Sequence, residues 1–241
     1  MTEKQNLFTI SSYRLLQKWG VCLERLAILF DLDGTLTDSG EGIINCVTLA
    51  LRHFGLPVPQ DGSLGQFIGP PLRDSFPKFG VPGDRVEEAV AVFRSRYNTV
   101  GKFENVPYPG IRELLEKLKQ DGHRLVVATS KPEVTAREVL EKFDLAQYFS
   151  EICGADMEGK RDTKDAVIAY LLEKLPPRER RIMVGDTVFD IEGAKKHGIP
   201  TVAVTWGYGK AGDLTGALKL ADSPETLYGI LCQIAERLEL D

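Results

Sequence analysis

Three short apolar runs each end abruptly in a polar residue: Ala27-Ile28-Leu29-Phe30 before Asp31, Leu125-Val126-Val127-Ala128 before Thr129, and Ile182-Met183-Val184-Gly185 before Asp186. Runs of this length without polar alternation predict strands buried on both faces, as in a parallel sheet. Thr201-Val202-Ala203-Val204, after a Gly-Ile-Pro turn, predicts a fourth strand, and Glu151-Ile152-Cys153-Gly154 a weaker fifth.

Between these runs the apolar spacing turns helical. Pro109 and Gly110 open a helix over Ile111 to Gln120, with Ile111, Leu114, Leu115 and Leu118 on one face. Further helices are predicted from Pro132 to Phe143, Asp165 to Lys174, Ile191 to His197 with a stop at Gly198, and Pro224 to Leu238. Strand and helix in alternation predict an α/β fold, a Rossmann-like doubly wound parallel sheet.

Residues 40–108 break the alternation, with helical patterns over Ile43 to Phe54 and Val86 to Val100 and no convincing strand. They are predicted as a helical cap domain inserted after the first strand, with hinges near Ser39 and Tyr108. The Rossmann-like core is then residues 26–39 and 109–241. Residues 1–25 fit neither part and stand as an N-terminal extension of unknown role.

Composition changes this picture little. The 241 residues are 43% apolar and 27% charged with a net charge of −5, which gives no support to a nucleic-acid or anionic-membrane surface. Cys22, Cys46, Cys153 and Cys232 lie far apart without metal-binding spacing, as expected of free thiols in a reducing compartment. No apolar run reaches the length of a membrane span, and no signal peptide is legible, so a cytoplasmic location is expected.

The candidate chemistry sits where the strands end, the edge at which ligands bind in sheets of this kind. In Asp31-Leu32-Asp33-Gly34-Thr35, both carboxylates can reach the same sheet edge, and Gly34 permits a sharp turn. Two such acids repel unless a cation or a shared proton compensates, which points to a metal. Thr129 in Thr129-Ser130-Lys131-Pro132 precedes a helix start that suits a phosphoryl group. Lys131 either adds a phosphate contact or is solvated. Asp186 and Asp190 in Gly185-Asp186-Thr187-Val188-Phe189-Asp190 can face one site, although Asp190 also suits a helix N-terminus.

Asp31-Leu32-Asp33-Gly34-Thr35 resembles the first motif of the haloacid dehalogenase-like hydrolases, and Thr129, Lys164 and the Asp186–Asp190 segment follow in that family's order. The resemblance implies that Asp31 attacks phosphorus and that Asp33 serves as acid and then base. Thr129 would bind the phosphoryl group, with Gly34, Thr35, Ser130 and Lys131 around it, and Lys164 would hold Asp31 and the phosphoryl oxygens together. Lys160 and Arg161 are near competitors for the lysine role. Asp31, Asp186 and the main-chain carbonyl of Asp33 would bind Mg2+, and Asp190 would bind it through water or orient Lys164.

The inserted helices resemble the capped subclass, and two segments are similar to its phosphoglycolate phosphatase-like branch: Phe67-Ile68-Gly69-Pro70-Pro71-Leu72 and Thr205-Trp206-Gly207-Tyr208-Gly209. The implied activity is magnesium-dependent hydrolysis of a small-molecule phosphate monoester. Arg73 is the candidate grip on a substrate carboxylate or second phosphate, or else is solvated. Trp206 and Tyr208 either line the site or pack on the core. A 5′-nucleotidase or pyrophosphatase of the same fold, a β-phosphoglucomutase-like phosphomutase, and a non-catalytic binding protein are the alternatives. Thr35 disfavours the mutase, and the intact acids and lysine disfavour the last. Monomer and homodimer are both open.

Overall fold

A computed structural model describes residues 25–236 apart from 157 and 159; Cys22, the proposed extension up to residue 24 and the predicted helix end at Leu238 lie outside the described residues. Six parallel strands form the main sheet: β1 (Leu26–Phe30), β4 (Arg124–Pro132), β5 (Glu151–Ala155), β6 (Arg180–Gly185), β7 (Thr201–Val204) and β8 (Lys219–Ala221). Their spatial order is β5-β4-β1-β6-β7-β8. The chain steps outward from β1 to β4 and β5, then restarts on the other side with β6, so the strand order reverses between β1 and β6. A crevice opens beyond the carboxyl ends at such a reversal.

Every residue of β1 is fully buried. Leu26, Ile28 and Phe30 enter one hydrophobic cluster and Ala27 and Leu29 another, the two-residue period of a strand sandwiched between helical layers. The helices are α1 (Gly40–His53), α2 (Leu72–Ser75), α3 (Val86–Tyr97), α4 (Ile111–Gln120), α5 (Glu133–Lys142), α6 (Lys164–Lys174), α7 (Val188–Lys195) and α8 (Pro224–Glu236). In α4, Ile111, Leu114, Leu115 and Leu118 are buried, matching the stripe in the sequence.

Residues between β1 and α4 carry a second hydrophobic cluster built from α1, α3 and the short helical turns between them, including Val47, Leu51, Phe67, Phe76 and Phe93. The chain leaves the sheet through β2 (Thr37–Asp38) and returns through β3 (Val106–Pro107), which pair antiparallel. The sequence shows no strand in this interval because two-residue strands carry no periodicity. The short edge strand β8 was likewise not expected; its Leu220 remains half exposed.

β4 also runs longer than the sequence suggests. It extends through Thr129, Ser130 and Lys131, with an irregular register against β5 between Ala128 and Pro132. Lys131, in this extension, reaches Asp33 just beyond the carboxyl end of β1.

Candidate active site

Asp31 follows β1 directly, and its N–H donates to the Val184 carbonyl at 2.9 Å, which fixes it against β6. Asp186 follows β6, and Lys164 opens α6 after Thr163, whose hydroxyl accepts from the Ala166 N–H at 3.3 Å. Lys164 places Nζ 2.7 Å from Asp31 Oδ1 and 2.8 Å from Asp190 Oδ1, and donates to the Ala128 carbonyl at 3.0 Å. Three acceptors match the three protons of an ammonium, so Lys164 is a fixed charge. Burial opposes that charge, but Asp190 and Asp31 outweigh it and raise the pKa of Lys164 above its ordinary value.

Of the competing cations, Lys160 is exposed and pairs with Glu158. Arg161 bonds to the Gly154 carbonyl and Glu133 and stacks over Tyr170. Lys164 is the lysine that reaches Asp31.

Asp190 has both oxygens engaged. Oδ1 faces Lys164, while Oδ2 accepts from the N–H and the hydroxyl of Thr187 at 3.0 Å each, capping α7. Asp190 therefore contacts both Lys164 and the N-terminal turn of α7 with one side chain.

Asp31, Asp186 and Asp190 are buried, with one carboxylate oxygen from each lying within 4.8 Å of the others. Burial raises the Asp31 pKa to about 6 against the pull of Lys164. Burial, with Asp190 and Asp31 adding to it, raises that of Asp186 to about 8. Three acids against one ammonium leave a buried negative cluster, and hard oxygen donors at this spacing suit Mg2+. The cradle is also shaped for it. A Cβ on Gly34, whose φ is +85°, or on Gly207 would fall 2.3 Å from Asp186 Oδ2. Thr35 Oγ1 donates to Asp186 Oδ1 at 3.2 Å and the Tyr208 N–H donates to Oδ2 at 2.8 Å. Thr35 thus serves Asp186, and Gly34 gives it room. The residues present fit the metal.

Asp33 stands apart from the three-carboxylate cluster. Both its oxygens lie 2.7 Å from Nζ of Lys131, which is buried rather than solvated and lies 5.1 Å from the centre of the Tyr97 ring. Burial opposes the Lys131 charge, and Asp33 with Tyr97 outweighs it, raising the pKa. A pair spanning 98 positions cannot be found by spacing; the Thr129-Ser130-Lys131 segment was the only signal. Thr129 is buried and its hydroxyl accepts from the Lys131 N–H at 3.2 Å.

Asp31, Asp33, Thr129, Ser130 and Lys131 form one wall of a cleft of about 150 Å³, and residues of α2 and α3 face them. Arg73 lines this cleft and is exposed, and its Nε and Nη2 donate to the exposed Glu87 at 2.5 and 3.0 Å. Trp206 Nε1 donates to the Thr35 carbonyl at 3.1 Å, holding the motif turn. The Tyr208 hydroxyl bonds to Asp38 and accepts from the Gly40 N–H at 2.7 Å, at the base of α1. Both aromatics support the site from behind. Cys46, Cys153 and Cys232 are buried free thiols, and among the described residues no helix is long and apolar enough to cross a membrane.

A sequence model of the haloacid dehalogenase-like hydrolases matches residues 28–204. The tyrosine-protein kinase PtkA of Mycobacterium tuberculosis is 45% identical over 185 residues, covering 76% of this chain but 63% of the relative, so the chain spans under two thirds of that protein. A 5′-nucleotidase of Pseudomonas aeruginosa is 42% identical over 78% of this chain and 86% of its own length. A phosphoglycolate phosphatase of Aquifex aeolicus is 36% identical over 76% and 86%. The crystal structure of a predicted phosphatase from Clostridium acetobutylicum superposes with a TM-score of 0.82 at 39% identity, covering 87% of this chain and 99% of that one.

Proposed function

The chain belongs to the haloacid dehalogenase-like hydrolases, and from that premise we propose that it is a magnesium-dependent phosphatase acting on a small phosphate monoester through an aspartyl-phosphate on Asp31. The observation that carries this reading is the contact of Lys164 with Asp31 and Asp190, 2.7 and 2.8 Å, beside the buried carboxylate of Asp186.

Lys164 holds Oδ1 of Asp31, leaving Oδ2 to attack phosphorus. The Asp31–phosphorus bond forms as the bond to the leaving oxygen breaks, and Asp33 gives that oxygen a proton. Asp33 then takes a proton from water, whose oxygen displaces the Asp31 carboxylate and releases phosphate. Lys131, now bridging both oxygens of Asp33, exchanges one contact for a phosphoryl oxygen when substrate enters. Thr129 and the amides near the start of α5 hold the other phosphoryl oxygens. Asp31, Asp186 and the Asp33 carbonyl would hold Mg2+, which neutralises the nucleophile and polarises the phosphoryl group.

Residues 40–108 act as the cap that closes over the substrate and excludes water from the first displacement. The phosphatase and nucleotidase names of the relatives support small phosphate esters as substrates. The 5′-nucleotidase reading is the second choice, favoured by the 42% identity to the Pseudomonas protein.

The test is phosphate release from a panel of esters with Mg2+ and with a chelator. Release that needs Mg2+ and disappears in Asp31→Asn, with the unfolding curve near that of the parent, supports the proposal. Ordinary turnover by Asp31→Asn contradicts it.

A further inference from the structure

One face of α3 looks into the cleft. Val90, Phe93, Arg94 and Tyr97 line it, at the spacing of three and four residues that stacks side chains on one side of a helix. Tyr97 fixes where that face points, since the centre of its ring lies 5.1 Å from Nζ of Lys131, which holds Asp33. Arg94 sits one turn back on the same face, about 4.5 Å along the helix axis. It overlooks the space just beyond the phosphoryl wall of Asp33, Thr129 and Lys131.

The other cations of the cleft are committed. Lys131 holds both oxygens of Asp33, and Arg73 donates two hydrogen bonds to Glu87 and lies in the field of Asp162. Arg94 is half-buried, and among the described residues it makes neither a hydrogen bond nor an ion pair. Glu87, already bound by Arg73, reaches it only through its field. A guanidinium carries five donors and no acceptor, and the side chains of Val90 and Phe93 beside it offer none to receive them. Its planar fork matches a carboxylate or a phosphoryl group through two parallel bonds.

Resting on the phosphatase reading, we infer that Arg94 determines specificity by gripping a second anionic group of the substrate, a carboxylate or a second phosphate on a short leaving group. The single turn between Arg94 and Tyr97 keeps that leaving group short. A neutral leaving group leaves the Arg94 donors unpaired, and a cationic one is repelled by them. Arg73, exposed and bound to Glu87, plays the lesser part.

The experiment measures kcat/KM on the full chain with Mg2+ for 2-phosphoglycolate, ethane-1,2-diol bisphosphate, ethyl phosphate and phosphoethanolamine. It compares the parent with Arg94→Gln, Arg94→Lys and Arg73→Gln, each checked for folding by a thermal melt. The parent should favour the two anionic esters over ethyl phosphate, and the better of the two identifies the second group as carboxylate or phosphate. In Arg94→Gln that preference should shrink by roughly ten- to a hundredfold, the scale of a hydrogen bond to a charged group. Arg94→Lys keeps the charge without the fork and should fall between the two, and it carries the comparison if Arg94→Gln does not fold. Arg73→Gln should change the preference less than Arg94→Gln does. The inference is overturned, with the phosphatase reading intact, if ethyl phosphate or phosphoethanolamine matches the anionic esters in the parent. It is equally overturned if the preference survives Arg94→Gln or is lost in Arg73→Gln instead. No phosphate from any ester would overturn both.

Discussion

Lys131 Nζ lies 2.7 Å from each carboxylate oxygen of Asp33, at a site where the lysine side chain is 3% exposed and the carboxylate 12%. Neighbouring strands β1 and β4 bring the two together, and Tyr97 of α3 closes over the ammonium. The acid/base of the proposed reaction is thus held by a core lysine that also touches the helical insertion.

Lys131→Met should therefore do two things. Leaving a largely buried carboxylate without its partner destabilises the fold by about 3 kcal/mol, and adding Asp33→Asn recovers part of the loss. Urea unfolding of the two single variants and the double variant measures both effects. Turnover should fall by about 10²-fold or more, as for loss of general acid–base positioning, with Lys131→Arg recovering part of it. Equal stability of Lys131→Met and the parent would contradict the pairing.

The buried acids set a pH dependence with a definite sign. Folding raises Asp186 from its ordinary 3.8 to about 8 and Asp31 from 3.8 to about 6. The folded chain thus binds these protons more tightly than the unfolded chain. Their contribution to stability without metal is complete below pH 3.8 and is lost as pH rises through about 6 and about 8. Mg2+ binds the ionised carboxylates, so its stabilising effect grows over the same window. Thermal melts with Mg2+ and with chelator should diverge steadily from pH 5 to about pH 8. A Mg2+ increment in Tm that does not change with pH would contradict this account.

Two glycines reserve the space around Asp186. A Cβ on Gly207 would lie 2.3 Å from both Asp186 Oδ2 and the Gly34 carbonyl oxygen, so Gly207→Ala should push the carboxylate out of position. The expected result is loss of most of the Mg2+-dependent rise in Tm and at least a roughly tenfold fall in turnover, from misplacing a positioned catalytic group. Gly212→Ala, whose Cβ meets nothing within 4 Å, serves as the control and should stay within about 0.5 kcal/mol of the parent. Identical behaviour of the two variants would contradict the cradle.

The sheet and its polar edge were legible because their signals are local. Asp31, Thr129 and Asp186 each end or interrupt an apolar run, and α4 carries its stripe within ten residues. Lys164 was legible through motif order, although Lys160 and Arg161 are equally cationic; which one turns inward depends on the start of α6. The Lys131–Asp33 pair was hidden because it depends on which strands become neighbours. The Arg73–Glu87 pair was hidden for a related reason: Glu87 lies on α3, beyond a turn-rich stretch that the sequence does not position. Glycines near Asp186 were hidden too, since a close backbone approach leaves no pattern.

The proposed chemistry stands or falls on a phosphoryl group carried by Asp31. Acid quench of the chain during turnover with Mg2+, followed by peptide mass spectrometry, tests this directly. The expected result is a single phosphoryl adduct on Asp31, accumulating further in Asp33→Asn because its hydrolysis is slowed, and absent in Asp31→Asn. An adduct on another residue, or steady phosphate release by Asp31→Asn, would contradict the mechanism.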